Sequence, residues 1–429
     1  MSRGDDYYKR LHNTATSPLF GNCVNLLFFI LGKKMNISPE KIVAYFQPIL
    51  SADSKTVYSY EILGRYIDDE GAVHSLGPFF NDLNTTNEEA LQVDRLVRRY
   101  ALKKYAEEKR SEYLFINIRL AWLTQFTDRP DLMLTLKWAE EFGIELKKLV
   151  IEITEEEFNA DDAYIHAILH YKGVGCRIAL DDYGKGASDI ERLAEIKPDI
   201  IKINMDYIHS SEESYHYREY LRSIAYFAES VGIEVLYEGI ETQKQLDICL
   251  ALKGRFYQGF LIARPQASMS NAVIDNAIFS ESIENLYTVL QNKITRTETL
   301  RKSLDTQVEH FLAANPFNSK ENNYDIYLAK LCRQLSNVRM VYLCDSHGNQ
   351  LTSNIVLHPT NTTLYNNEQK NKNWIWRGYF YEALKSVTAG EKSCLSDAYH
   401  DFSTKDKVRT YSYSITNDIF LFVDISNTP

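Results

Sequence analysis

From Ala44 onward, short runs rich in β-branched and aromatic residues alternate with longer segments whose apolar positions recur every three or four residues. Parallel strands joined by crossover helices have this patterning. Strands are predicted at Ala44–Ile49, Val57–Leu63, Tyr113–Ile118, Leu149–Ile153, Arg177–Leu180, Ile200–Ile203, Glu234–Tyr237 and Phe256–Gly259. Between them, helices are predicted over Glu88–Glu108, Asp131–Phe142, Ala163–Tyr171, Ser188–Glu195, Tyr215–Val231 and Thr242–Ala251. Eight strands at this spacing predict an α/β domain, a TIM-like (βα)8-type barrel over residues 41–275, with an apolar interior drawn from residues such as Val150, Ile178 and Ile201.

Past Pro265 the pattern changes. Residues 276–315 are charged and helical in period, so they predict a long linker helix, which could pair with its copy in a homodimer or pack on its own domain. In residues 316–429, a helix from Asn323 through Leu335 precedes strands at Met340–Cys344, Thr410–Ser414 and Ile419–Val423, the pattern of a small α+β domain. The turn Asp345-Ser346-His347-Gly348-Asn349 separates VYLC from QLTSN and predicts a hairpin of those two runs.

Composition narrows the classes. A chain of 429 residues exceeds one hydrophobic core, and 45% hydrophobic with 12% aromatic content argues against disorder. The net charge of −10 speaks against binding a nucleic-acid polymer. It leaves room for a small anionic substrate whose charge is met locally by cations. Six cysteines (Cys23, Cys176, Cys249, Cys332, Cys344, Cys394) lack CxxC spacing, as expected of buried thiols in a cytoplasmic protein. Residues 1–40 read as an N-terminal extension ahead of a domain start near Met35. The apolar stretch Leu19–Gly32 is shorter than the roughly 20 residues that span a bilayer and has no small-x-small cleavage site.

Polar residues punctuate the strand ends: Glu61, Asn117, Glu152, the pair Asp181–Asp182, Lys202 and Glu238. Carboxylates and amides are hard-oxygen metal ligands, and barrel enzymes gather such groups at the C-terminal ends of their strands. Any one of them alone is more simply a paired core acid. Seven from six strands would converge on one mouth. Adjacent carboxylates such as Asp181 and Asp182 can hold two divalent cations about 3.5–4 Å apart, and Lys202 can stabilise phosphate charge.

These residues lie in motifs that resemble the EAL-domain phosphodiesterases, which hydrolyse cyclic di-GMP to linear pGpG. The family motif stands as Glu61-Ile62-Leu63-Gly64-Arg65, with isoleucine for its middle alanine. Further matches are Tyr45-Phe46-Gln47-Pro48-Ile49, Phe115-Ile116-Asn117-Ile118, Ile151-Glu152-Ile153-Thr154-Glu155, Ala179-Leu180-Asp181-Asp182-Tyr183-Gly184, Tyr237-Glu238-Gly239-Ile240-Glu241-Thr242 and Tyr257-Gln258-Gly259-Phe260. The resemblance implies two Mg²⁺ or Mn²⁺ ions on Glu61, Asn117, Glu152, Asp181 and Asp182. It implies catalytic roles for Lys202 and Glu238, with Glu155 steadying the loop after Asp181, and cyclic di-GMP contacts from Gln47, Arg65, Gln258 and Glu241. Two departures stand out: Asn204 replaces the usual aspartate after Lys202-Ile203, where it is expected to weaken the positioning of Lys202, and Lys185 replaces a loop threonine. The activity implied is hydrolysis by a metal-activated water, or, in the alternative, a catalytically weak cyclic di-GMP receptor that signals through the C-terminal domain. That domain resembles PAS/Cache-like sensors, in particular those of YkuI-type EAL proteins, and would take a ligand of its own. Its Trp374, Trp376, Arg377, Tyr379 and Tyr399 would line a ligand pocket or form an aromatic core.

Overall fold

A computed structural model describes residues 38–119, 122, 133–154, 162–184, 190–269, 276–318, 324–357, 363–402 and 404–426. The N-terminal extension through residue 37, Glu155 and Lys185 lie outside the described residues. The chain divides into two compact units, Met1–Leu286 and Tyr287–Pro429.

In the first unit, nine strands form one sheet: β1 (Ile42–Ser51), β2 (Val57–Ile67), β3 (Val73–Ser75), β4 (Tyr113–Asn117), β5 (Leu149–Thr154), β6 (Arg177–Asp181), β7 (Ile200–Ile203), β8 (Glu234–Tyr237) and β9 (Phe256–Tyr257). Their order is β1-β9-β8-β7-β6-β5-β4-β2-β3, and β1 also pairs with β2, so eight strands close into a barrel while β3 hangs on β2 as an outer hairpin. The closed eight-stranded barrel is as predicted, with one correction of direction. β1 runs antiparallel to both β2 and β9. Only residues 52–56 join β1 to β2, and a parallel pair needs a crossover of about a dozen residues or more. A helix at Met205–Glu213 was also missed. Asn204 starts it, accepting from the Asp206 N–H at 2.8 Å, as an N-cap residue does.

The barrel interior is set by the period-two alternation of strands. Ile49, Phe115, Val150, Ala179, Ile200, Leu236 and Phe256 form one buried inner cluster. Ile178 and Ile201, expected inside, belong instead to the larger cluster with Leu193, Leu221, Leu246 and Cys249 of the surrounding helices. Parity explains this: if Asp181 and Lys202 face the mouth, the residues sharing their face are Ala179 and Ile200.

The second unit is an antiparallel sheet of β10 (Val338–Asp345), β11 (Asn354–Leu357), β12 (Thr363–Asn366), β13 (Ser393–Leu395), β14 (Tyr399–His400), β15 (Lys407–Thr416) and β16 (Ile419–Ser426). The order is β12-β11-β10-β16-β15-β13, with β14 on β15. One face packs on Leu304, Val308 and Phe311 of the long helix Asn276–Ala314 and on the helix Tyr324–Cys332. The other face packs on the helix Gly378–Thr388 through Tyr379, Phe380 and Ala383. The hairpin after β10 forms as expected: Cys344 bridges Gln350, the Leu351 N–H donates to the Leu343 carbonyl at 2.8 Å, and the pairing continues with β11 opposite Met340 and Val341. Side chains interrupt the ladder there: Thr352 Oγ1 accepts from the Leu343 N–H at 2.9 Å, and Gln350, buried, donates to the Thr352 carbonyl at 2.8 Å. Four of the six cysteines, Cys176, Cys249, Cys332 and Cys344, are buried free thiols.

Candidate active site

Two residues beyond each member of the inner apolar cluster, on the same face, the barrel turns polar. Phe115 is followed by Asn117, Val150 by Glu152, Ala179 by Asp181, Ile200 by Lys202, Leu236 by Glu238 and Phe256 by Gln258. On the reversed strand β1 the same step runs backward, from Ile49 to Gln47, and Gln47 stands opposite Glu61 in the β1–β2 register. A polar ring therefore caps an apolar plug at the C-terminal mouth of the parallel strands.

Lys202, only 1% exposed, sits at the centre of this ring. Its ammonium donates to Glu152 and lies 3.1 Å from Glu238, 3.5 Å from Asp181 and 3.7 Å from Glu61. Burial alone would depress the lysine, but the surrounding Asp181, Glu152, Glu238 and Glu61 outweigh it and hold Lys202 charged well above its ordinary range. Burial pushes both Glu152 and Glu238 up, against the pull of Lys202. For Asp181 burial also acts upward, but Lys202 and hydrogen bonds prevail and keep it low.

Glu61 is held from two sides. Asn117 Nδ2 donates to its Oε1 at 3.3 Å, and Gln258 Nε2 to its Oε2 at 2.5 Å. Gln258 also reaches Gln47 Oε1 at 3.3 Å, while Gln47 donates to the Ala263 carbonyl at 3.1 Å. Sequence reasoning placed Gln47 and Gln258 at the ligand; the structure shows them buried and bracing Glu61. The signal for this bracing position is the two-residue step from the apolar layer.

Asp182 adopts a left-handed backbone, φ 55°, which turns the chain sharply after β6. Its N–H donates to Asp181 Oδ1 at 2.8 Å, tying the pair together. Asn204 Nδ2 donates to Asp182 Oδ1 at 2.5 Å. The side chain of Asn204 thus engages Asp182 rather than Lys202, the partner the sequence suggested.

Beside Asn117 and Glu152 opens a cavity of about 300 Å³, walled by Arg65, Phe80, Arg119 and Trp122. The Arg65 guanidinium lies over the Tyr45 ring at 5.8 Å. Arg119, which the sequence did not single out, donates to the Phe80 carbonyl at 3.1 Å and stacks over Phe80 and Trp122 at 5.8 and 5.5 Å. Glu241 is exposed after β8 and takes no part in the ring, although its N–H is held by Gln245 at 2.8 Å.

The donor set fits divalent cations. Four carboxylates surround a single ammonium, and buried Glu152 Oε2 has no hydrogen-bond partner among the described residues. Glu152, Asp181 and Glu238 each offer an oxygen within 4.8 Å of the others. An excess of buried negative charge with an oxygen left over is what oxygen-ligated metal sites present.

A closed barrel with this ring defines the class. The EAL domain family matches residues 34–265, and an EAL-domain associated signalling protein domain matches residues 272–428. The chain belongs to the EAL-domain family. It is 32% identical over 397 residues to the uncharacterized EAL-domain containing protein YkuI of Bacillus subtilis, covering 90% of this chain and 94% of YkuI. The crystal structure of B. subtilis YkuI in complex with substrate c-di-GMP and calcium superposes with a TM-score of 0.84 at 30% identity, over 94% of this chain and 99% of that one. The cyclic di-GMP phosphodiesterase RocR of Pseudomonas aeruginosa is 26% identical over 230 residues, 52% of this chain and 57% of RocR. Among the described residues no helix is long and apolar enough to cross a membrane.

Proposed function

We propose that the barrel hydrolyses one phosphodiester of cyclic di-GMP to linear pGpG with Mg²⁺ or Mn²⁺, and that the second unit, a PAS-like sensor, regulates it. The observation that carries this reading is the ring of Glu61, Asn117, Glu152, Asp181 and Glu238 about the buried Lys202, with its surplus of carboxylate over ammonium. Glu61, Asn117, Glu152, Asp181 and Asp182 would hold the cations. When bound, these supply positive charge to the phosphate and acidify water. Lys202 keeps the carboxylates converged and adds a fixed positive charge at the attacked phosphate. Glu238, 3.1 Å from Lys202, is placed to take the proton of the attacking water. Arg65 and Arg119, both backed by aromatic rings, wall the adjacent cavity and suit phosphate and guanine contacts of the dinucleotide.

A second reading is a cyclic di-GMP receptor with little turnover. The hydrogen bond from Asn204 to Asp182 favours it, because that bond occupies an oxygen of the carboxylate assigned to the second cation. The purified chain, given Mg²⁺ or Mn²⁺ and cyclic di-GMP, is expected to release pGpG. Binding in equilibrium dialysis with no pGpG after long incubation would reject the enzyme in favour of the receptor, and absence of both would reject the two together.

A further inference from the structure

Strand β16 reads Ile419-Phe420-Leu421-Phe422-Val423-Asp424-Ile425-Ser426, and every second residue faces one side of the sheet. Leu421, Val423 and Ile425 join the core under the long helix, whereas Phe420 and Phe422 join the aromatic cluster on the other face. Asp424 continues that second series, and it is 5% exposed. An aspartate therefore stands where the pattern calls for another large apolar side chain.

Its only side-chain hydrogen bond among the described residues comes from the Thr410 hydroxyl, 2.7 Å from Oδ1, and Tyr399 in turn lies 2.6 Å from Thr410 Oγ1. Among the described residues no cation forms an ion pair with it, although Arg377 and Arg339 pull on it from farther off. Arg339, also at this face, is committed to Asp406 at 2.7 Å. Burial pushes the Asp424 carboxyl up to about 7, which records how poorly the surroundings compensate its charge. As a mere acceptor for Thr410, an asparagine or serine would serve without the several kcal/mol that a buried, unpaired carboxylate costs.

Asp424 lines a cavity of about 520 Å³, a size suited to a small molecule. Tyr342, Tyr379, Tyr399 and Trp374 form much of its wall. Trp374 is fixed by its indole N–H, which donates to Gln350 Oε1 at 2.7 Å, and the Tyr342 hydroxyl donates to that of Tyr379 at 3.1 Å. Arg377 lines the same cavity. Its guanidinium hydrogen-bonds the Tyr399 hydroxyl and lies against rings, at 4.4 Å from the Phe402 centroid, 4.9 Å from Tyr399 and 5.4 Å from both Trp376 and Tyr379. It makes no ion pair among the described residues. One cavity thus holds a carboxylate and a guanidinium that make no ion pair among the described residues, and Arg339, Lys372, Glu368 and Asp401 line it as well. A guest with a single charge would satisfy one and be repelled by the other.

We propose that this cavity binds a small zwitterion carrying an ammonium and a carboxylate, the class of the free α-amino acids, with the ammonium on Asp424 and the carboxylate on Arg377. The aromatic wall receives the hydrocarbon part, and the ring faces add to the attraction for the ammonium. This site lies wholly in the second unit and stands or falls independently of the hydrolytic reading of the barrel.

The test uses the full chain and the twenty common L-amino acids as probes, by thermal shift and then by titration calorimetry. At least one is expected to raise the melting transition and to bind with measurable heat. The matching deaminated acid and decarboxylated amine should each bind at least about 30-fold more weakly, as expected when one partner of a buried charge pair is removed. Asp424→Asn should lose binding by a similar factor while melting no lower than the parent without ligand. Arg377→Gln, at the half-buried mouth, provides a second variant should the first fold poorly, and it too should bind at least about 30-fold more weakly. Failure of all twenty probes to shift or bind, or unchanged affinity in Arg377→Gln, would overturn the proposal.

Discussion

Lys202 is the residue on which the barrel mouth depends. It is buried among four carboxylates, so its removal leaves their mutual repulsion unopposed. Lys202→Met is expected to cost about 3–5 kcal/mol of folding stability, measured by urea denaturation, because breaking a buried ion pair strands its partners. Pre-organised charge at the reacting phosphate is lost with it, so pGpG formation should fall by at least about 100-fold even where the variant is folded. Asn204 acts differently. It donates to Asp182 and caps a helix, and Asn204→Asp can keep the cap while exchanging that donor for a carboxylate. The variant should bind Mn²⁺ about tenfold more tightly in a calorimetric titration and gain turnover by a comparable factor. Unchanged Mn²⁺ affinity would show that position 204 does not govern the second cation.

At the scale of the element, the barrel works by a two-residue step: an apolar layer, then a polar one. The strands themselves were legible in the sequence because β-branched runs between helical segments have few other readings. The seven polar positions first noticed were legible because each interrupts such a run. Ile178 and Ile201 were misplaced because a short, uniformly apolar strand shows no parity of its own; only its polar neighbour reveals which face is inward. The reversal of β1 was written in the five-residue connection but was masked by the regular alternation that follows. The Asn204–Asp182 contact could not be read at all, since it depends on the backbone turn at Asp182. Gly259 shows how closely these elements meet. A Cβ there would collide with the backbone of Ile240, whose N–H donates to the Gln258 carbonyl at 3.0 Å. Gly259→Ala should therefore cost about 1–3 kcal/mol and shift Gln258 away from Glu61, with a matching loss of activity. In the second unit, β16 sets a pH dependence. The Asp424 value of about 7 in the folded state lies above its usual 3.8, so between these values the folded state holds a proton that the unfolded chain has released. Stability is then full below about pH 4 and declines by about 4 kcal/mol as the pH rises to about 7. Thr410, Arg377 and Arg339 oppose this shift and Asp401 reinforces it. Asp424→Asn should flatten the decline in urea unfolding of the second unit followed against pH.

The whole molecule joins two units with separate cores, each with its own candidate site. Linkage then makes a simple forecast: a ligand stabilises the unit that binds it. Cyclic di-GMP with a divalent cation at 100 times its dissociation constant should stabilise the barrel by about 2.7 kcal/mol, and chelation with EDTA should reverse the shift. Scanning calorimetry should show this gain in the barrel's transition; a gain confined to the other transition would misplace the nucleotide site.

The closure of the barrel has a further consequence. Gln258 from the last strand and Gln47 from the first meet at Glu61, and Phe46 pairs with Gln266 across the same seam. A chain growing from the ribosome exposes Glu61 some two hundred residues before Gln258 arrives to fix it. Until then the strands carrying the acids can pair only as an open ribbon with free edges, and contacts between such distant parts of a chain form slowly. The closed ring is thus the last feature the nascent barrel acquires, and a chain stalled short of Gln258 would hold most of the ring without the clasp that shuts it.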